Sequence, residues 1–78
     1  MPTAFVLIDT EVSSEAEVLK DLRKVEGVEE AFKVDGVYDI VVRVKADTMN
    51  QLKEIVIWHI QKLNNVRTTL TMLVVEEK

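Results

Sequence analysis

Hydrophobic and polar residues along this chain follow two periods that alternate. Thr3 to Thr10, TAFVLIDT, is an apolar run of strand length with hydrophobic residues on both parities, and it predicts a first strand. From Glu15 the period lengthens. Val18, Leu22 and Val25 recur at helical spacing with Leu19 beside them, while Glu15, Lys20, Asp21 and Lys24 fall elsewhere on the wheel. Ser14-Glu15-Ala16-Glu17 ahead of this stripe has the form of a capping box, and Gly27 suits the left-handed residue that stops a helix. Val28 to Val34 and Tyr38 to Lys45 read as two further strands joined by a turn at Asp35-Gly36. Asp47 or Thr48 can cap a second helix, whose stripe Leu52, Ile55, Val56, His59, Ile60 and Leu63 ends at Asn64-Asn65. A last strand is expected over Arg67 to Val75, with Glu76-Glu77-Lys78 as a solvated tail.

The halves of this pattern resemble each other. LRKVEGV at residues 22 to 28 matches IQKLNNV at 60 to 66, and IDT at 8 to 10 matches ADT at 46 to 48, both at an offset of 38 residues. A repeated strand, helix, strand unit predicts the split βαβ arrangement: an α+β, ferredoxin-like βαββαβ fold with a four-stranded antiparallel sheet. Helices on one face of such a sheet leave the other face to solvent, which normally makes it polar. Here Ala4 through Ile8 and Ile40 through Val42 are apolar on both parities, and Leu70, Met72 and Val74 alternate with Thr71, Leu73 and Val75. The second face is therefore expected to be covered by another subunit, sheet face to sheet face, in a dimeric α/β barrel.

Composition narrows the classes. Seventy-eight residues make one small domain, residues 1 to 78, which gains from oligomerisation because there is no cysteine to staple it. Fourteen acidic against ten basic residues leave a net charge of -4, and the basic residues are scattered, so direct nucleic-acid binding is not expected. Met1-Pro2-Thr3 runs straight into strand-like sequence without a basic n-region or a long apolar stretch. The reading is a soluble, cytoplasmic protein with no membrane segment.

Little in the chain looks catalytic. His59 is the lone histidine and lies on the apolar stripe of the second helix, which makes it a core or interface residue before it is a base or a metal ligand. Ile57 and Trp58 point away from that stripe and are candidates for a contact between subunits. Neither a Gly-rich phosphate loop nor a nucleophile set is present, and no cofactor or metal is implied. The remaining candidates are Gly36, Tyr38 and Asp39 at the turn and Thr69 and Thr71 on one face of the last strand. Turn and strand propensity alone account for these residue types. Equally, a carboxylate with hydroxyls nearby suits a zwitterionic amino acid, whose ammonium needs an acceptor and whose carboxylate needs donors.

VEGVEEAFKVDGVYDIVVRV and LNNVRTTLTMLVV resemble the ligand-sensing, or RAM, domain of the Lrp/AsnC (feast/famine) transcription regulators, in the G-x-Y-D turn and the V-x-x-T-x-T ending. The resemblance covers almost the whole chain and departs at Asn64-Asn65, where the family often has Pro-Gly. It implies a stand-alone, non-enzymatic amino-acid-sensing module lacking the DNA-binding domain. It further implies face-to-face dimers assembled into rings, commonly octamers, and a free amino acid bound between dimers near Gly36, Tyr38 and Asp39. Thr69 and Thr71 would contribute, and full-length Lrp/AsnC regulators would be partners. Two other readings stay open: a small dimeric α/β-barrel enzyme with a cavity near His59, and an ACT-like regulatory domain associating through edges or helices.

Overall fold

Alternate residues of the first strand disappear from solvent: Ala4, Val6 and Ile8 are fully buried and Thr10 nearly so. In the structure, a computed structural model describing residues 1–75, these side chains lie under the helices. The elements are β1 (Thr3–Thr10), α1 (Glu15–Leu22), β2 (Val28–Lys33), β3 (Ile40–Lys45), α2 (Met49–Glu54) continuing as a π-helical segment (Ile55–Ile60), and β4 (Val66–Leu73). The sheet order is β2-β3-β1-β4 with every neighbouring pair antiparallel. This is the α+β, ferredoxin-like arrangement that the repeated unit predicts.

Register determines the two faces, because directly opposed residues project to the same side. Val44, Val42 and Ile40 of β3 oppose Ala4, Val6 and Ile8 of β1. Val18 and Leu22 of α1, with Leu52, Val56 and Ile60 of the second helix, complete this core. The other face carries a row with one apolar residue from each strand: Phe32, Val41, Leu7 and Leu70. Beside it runs Glu30, Arg43, Phe5 and Met72, in which Arg43 Nε donates to Glu30 at 3.1 Å. Phe32 is 51% exposed and Leu70 and Met72 are each 46% exposed. The apolar second face expected from the sequence is present.

The internal repeat is equally visible in the backbone. Val25 N–H donates to Leu22 and Val28 N–H to Val25 in the first half; Leu63 to Ile60 and Val66 to Leu63 are the same bonds in the second. Gly27 and Asn65, 38 residues apart, both take a positive φ, of 100° and 71°. Asn is the usual substitute for Gly in that region. Gly27 is further constrained, since a Cβ there would stand 2.7 Å from Ile55 Cδ1 and 3.1 Å from the Lys45 carbonyl oxygen.

Helix starts follow local sequence unevenly. Thr48 caps α2, its Oγ accepting from Gln51 N–H at 3.1 Å. Ser14 makes no side-chain cap bond to α1. Ser13 at φ 67° turns the chain so that the Ser14 N–H donates to Glu11 and its carbonyl receives Val18. Glu17 is then free to accept from Asn65 Nδ2 at 3.2 Å, tying α1 to the other junction, and the capping box is not formed.

Candidate functional site

The β2–β3 connection is wider than the Asp-Gly turn expected from sequence. Gly36 has no left-handed φ, and the loop closes instead through Val34 N–H donating to the Asp39 carbonyl at 2.8 Å. Tyr38 and Asp39 thus belong to the loop and β3 begins at Ile40. Asp39 is held three ways. Its carbonyl receives Val34, its N–H donates to the Ile8 carbonyl at 2.9 Å, and its carboxylate receives the ends of β1. Thr10 N–H and Thr10 Oγ–H both donate to Asp39 Oδ2, at 2.9 Å and 3.1 Å. The side chain substitutes for a main-chain acceptor exactly where the β1–β3 ladder runs out.

These contacts keep the carboxyl ionised. Thr10 N–H does most to hold it below the ordinary aspartate range; partial burial opposes this, while the Thr10 hydroxyl, the Asp9 side chain and the Arg67 guanidinium add to it. Arg67 comes near because of a bulge. Asp9 opposes Thr68 and Thr10 opposes Val66, so Arg67 has no residue facing it and the local strand is bent. It feels Asp39 without forming an ion pair, since among the described residues the salt bridge is Arg43 with Glu30. One end of the sheet therefore holds an anionic group and a cationic group that are near but not joined.

The other candidate positions spread from this point. Gly36 and Tyr38 lie on the same loop as Asp39, Gly36 with open space where a Cβ would stand. Thr69 opposes Ile8, the rung next to the Asp39 end, and Thr71 opposes Val6, about 7 Å further along the strand. Both threonines lie on the helix-covered side. Thr71 Oγ is buried and unpartnered among the described residues, in a groove beside the second helix. Within one chain, Gly36, Tyr38, Asp39 and Thr69 gather at one sheet end and Thr71 stands apart.

Thr10, Asp9 and Arg67 were not recoverable from residue type. The usable signal was position: Arg67 stands two residues before Thr69 of the T-x-T pair, and IDT ends the first strand, so an antiparallel β1–β4 pair brings them together.

His59 is not in the core. It is exposed and lines a polar groove of about 720 Å³ at the opposite end of β3, with Lys45, Asp47, Glu54 and Ile55. The cause is the π winding of Ile55–Ile60, marked by Gln61 N–H donating to Val56 at 2.9 Å. Its wider turn keeps Leu52, Val56 and Ile60 on the buried line and swings His59 off it. Among the described residues, no cluster of three or more metal-ligating side chains occurs and no helix is long and apolar enough to cross a membrane.

Comparison with known proteins matches these features to a family. A hypothetical protein, PHS023 from Pyrococcus horikoshii, is 36% identical with a TM-score of 0.90, covering 99% of this chain and 93% of that one. An uncharacterized HTH-type transcriptional regulator, PF0250 of Pyrococcus furiosus, is 35% identical over 91% of this chain, which spans 49% of its length. Homocitrate synthases of Saccharolobus islandicus are 40% identical over 77% of this chain, which spans only 13% of theirs. The transcriptional regulator NMB0573 of Neisseria meningitidis, solved as a complex with L-Met, shares the fold at 19% identity and a TM-score of 0.82, over 97% of this chain and 51% of that one. A family model described as the Lrp/AsnC ligand binding domain matches residues 3–78, and the chain belongs to that family.

Proposed function

We propose that the chain is a non-enzymatic sensing module that binds a free amino acid at the Asp39 end of its sheet and acts on its partners through assembly. The observation that carries this reading is the pairing of an ionised, half-buried Asp39 with a nearby but unjoined Arg67. An α-amino acid offers an ammonium for the first and a carboxylate for the second. Gly36 leaves room for close approach of a ligand to the loop backbone, Tyr38 shapes the wall, and Thr69, opposite Ile8, supplies a β4 hydroxyl.

Assembly follows from the open sheet face. Two copies joined through Phe5, Leu7, Leu70 and Met72 form a dimeric barrel, and a ligand held between such dimers stabilises the ring, an octamer by family precedent, that creates its site. The occurrence of similar modules within a regulator and within a homocitrate synthase supports a portable ligand-binding unit serving different partners, full-length regulators of the family among them. A cytoplasmic location accords with such partners. The regulator solved with L-Met shows the same fold in an amino-acid complex.

Thermal unfolding against each of the twenty amino acids, with light scattering at every condition, tests the reading. One or a few amino acids are expected to raise both the midpoint and the mass at millimolar concentration. Asp39→Asn keeps an acceptor for Thr10 but removes the charge, and is expected to fold and to lose the response. A complete absence of response from the wild-type chain sinks the proposal.

A further inference from the structure

Arg67 has little beside it to hold it in place. It lacks a facing residue on β1, because Asp9 opposes Thr68 and Thr10 opposes Val66. β4 is an edge strand in the order β2-β3-β1-β4, so no strand of the chain supports its other side. The backbone of Arg67 is therefore fixed by its flanks. Thr68 is paired with Asp9 on one flank, and Asn65 is the anchor on the other.

Asn65 is tied twice. Its carbonyl accepts the Glu11 N–H at 2.8 Å, and its Nδ2 donates to Glu17 Oε1 at 3.2 Å, across 48 residues of sequence. The other half of the repeat shows which tie is the added one. Gly27, 38 residues earlier, also has a positive φ and also accepts at its carbonyl, from Lys45 N–H at 2.8 Å, but has no side chain to tie. Glycine meets that backbone demand more readily than asparagine does. Asparagine at 65 thus adds something the turn does not require, an amide that reaches the first turn of α1. Glu17 can receive it because the Ser14 N–H goes to Glu11 and leaves the carboxylate out of a capping box.

We propose that Glu17 and Asn65 are positioning residues for the binding site: the bond between them holds the bulge so that Arg67 stands near Asp39, placed for the carboxylate of a bound amino acid. This rests on the reading of Asp39 and Arg67 as the two poles of an amino-acid site. It makes α1 part of that site, since a shift of its first turn moves Arg67 through Asn65. The bond is exposed, so water competes for both partners and its effect on stability is small. Its effect is on where the guanidinium stands.

Asn65→Gly removes the amide and keeps the left-handed backbone and the Glu11 bond; Glu17→Ala removes the acceptor, and Glu17→Gln keeps one. The first readout on the whole chain needs no amino acid. Arg67 is among the groups that hold the Asp39 carboxyl low, so NMR titration of that carboxyl reports its position, with Arg67→Met as the reference for its removal. Asn65→Gly and Glu17→Ala are expected to raise the Asp39 pKa toward the Arg67→Met value, and their combination to raise it no further. Loss of the Glu17 charge by itself acts in the opposite direction, so Glu17→Gln is expected at or below wild type.

The second readout is affinity for each amino acid that raises the wild-type melting midpoint, measured beside its carboxamide, which keeps the ammonium and lacks the carboxylate. In Asn65→Gly and Glu17→Ala the preference for the acid over the carboxamide is expected to fall about tenfold, with the unliganded midpoint unchanged. An Asp39 titration identical in wild type, Asn65→Gly and Glu17→Ala overturns the proposal, as does equal weakening of acid and carboxamide. If no amino acid acts on the wild type, the sensing reading fails, and the Asp39 titration still decides whether Glu17 and Asn65 position Arg67.

Discussion

Asp39 joins three segments through one residue: its carbonyl closes the β2–β3 loop, its N–H reaches β1, and its carboxylate receives both donors of Thr10. Proton linkage follows from that geometry. Its pKa is lower folded than unfolded, so its contribution to stability is present above the unfolded value, about 3.9, and is lost as pH falls through the lower folded value. Asp39→Asn is therefore expected to melt below the wild type at neutral pH, with the gap closing only under acid conditions below about pH 3.9. Melting curves of both proteins across a pH series measure this; a gap that persists unchanged into strong acid rules out the charge as its source. The G-x-Y-D sequence pointed to Asp39 as a carboxylate worth attention. That Thr10 engages one oxygen depends on strand pairing across 29 residues, which residue type does not reveal.

At the scale of elements, Ser14 and Thr48 stand at equivalent places ahead of the two helices and behave differently. Thr48 makes its cap bond, whereas the left-handed Ser13 turns Ser14 away from that role. Thr48→Ala is expected to lower stability by about 1 kcal/mol. Ser14→Ala should stay within about 0.5 kcal/mol of wild type. Denaturant unfolding of the two variants decides it, and equal losses would place a hydroxyl cap on both helices. The second helix shows the same limit of local reading. A wheel of 3.6 residues per turn puts His59 beside Ile55 and Val56 on the buried stripe. The π winding of Ile55–Ile60 instead returns Ile60 to the core line and leaves His59 in the polar groove.

For the whole molecule, the sheet has two apolar sides and only one is covered by the chain's own helices. The row Phe32, Val41, Leu7 and Leu70 crosses all four strands, so a charge placed in it meets the centre of any face-to-face partner. Leu70→Glu is expected to leave the monomer folded, because Leu70 is 46% exposed, and to prevent sheet-face dimers, seen as a halving of mass by light scattering. If the variant retains the wild-type mass, the sheet face is not the dimer interface.

Periodicity, the 38-residue repeat and the turn residues determined by themselves the order of elements, the α+β class and the presence of two apolar sheet faces. These are properties of neighbours in the chain, where spacing alone decides which side chains share a face. The junctions at Gly27 and Asn65 were legible for the same reason, since a left-handed residue is a local demand. Tertiary structure decided what depends on distant segments meeting: Thr10 and Arg67 around Asp39, Glu17 turned to Asn65, Thr71 enclosed beside the second helix, and His59 released from the core. Each is the outcome of register, bulge or helical winding, which arise only when strands pair and layers pack.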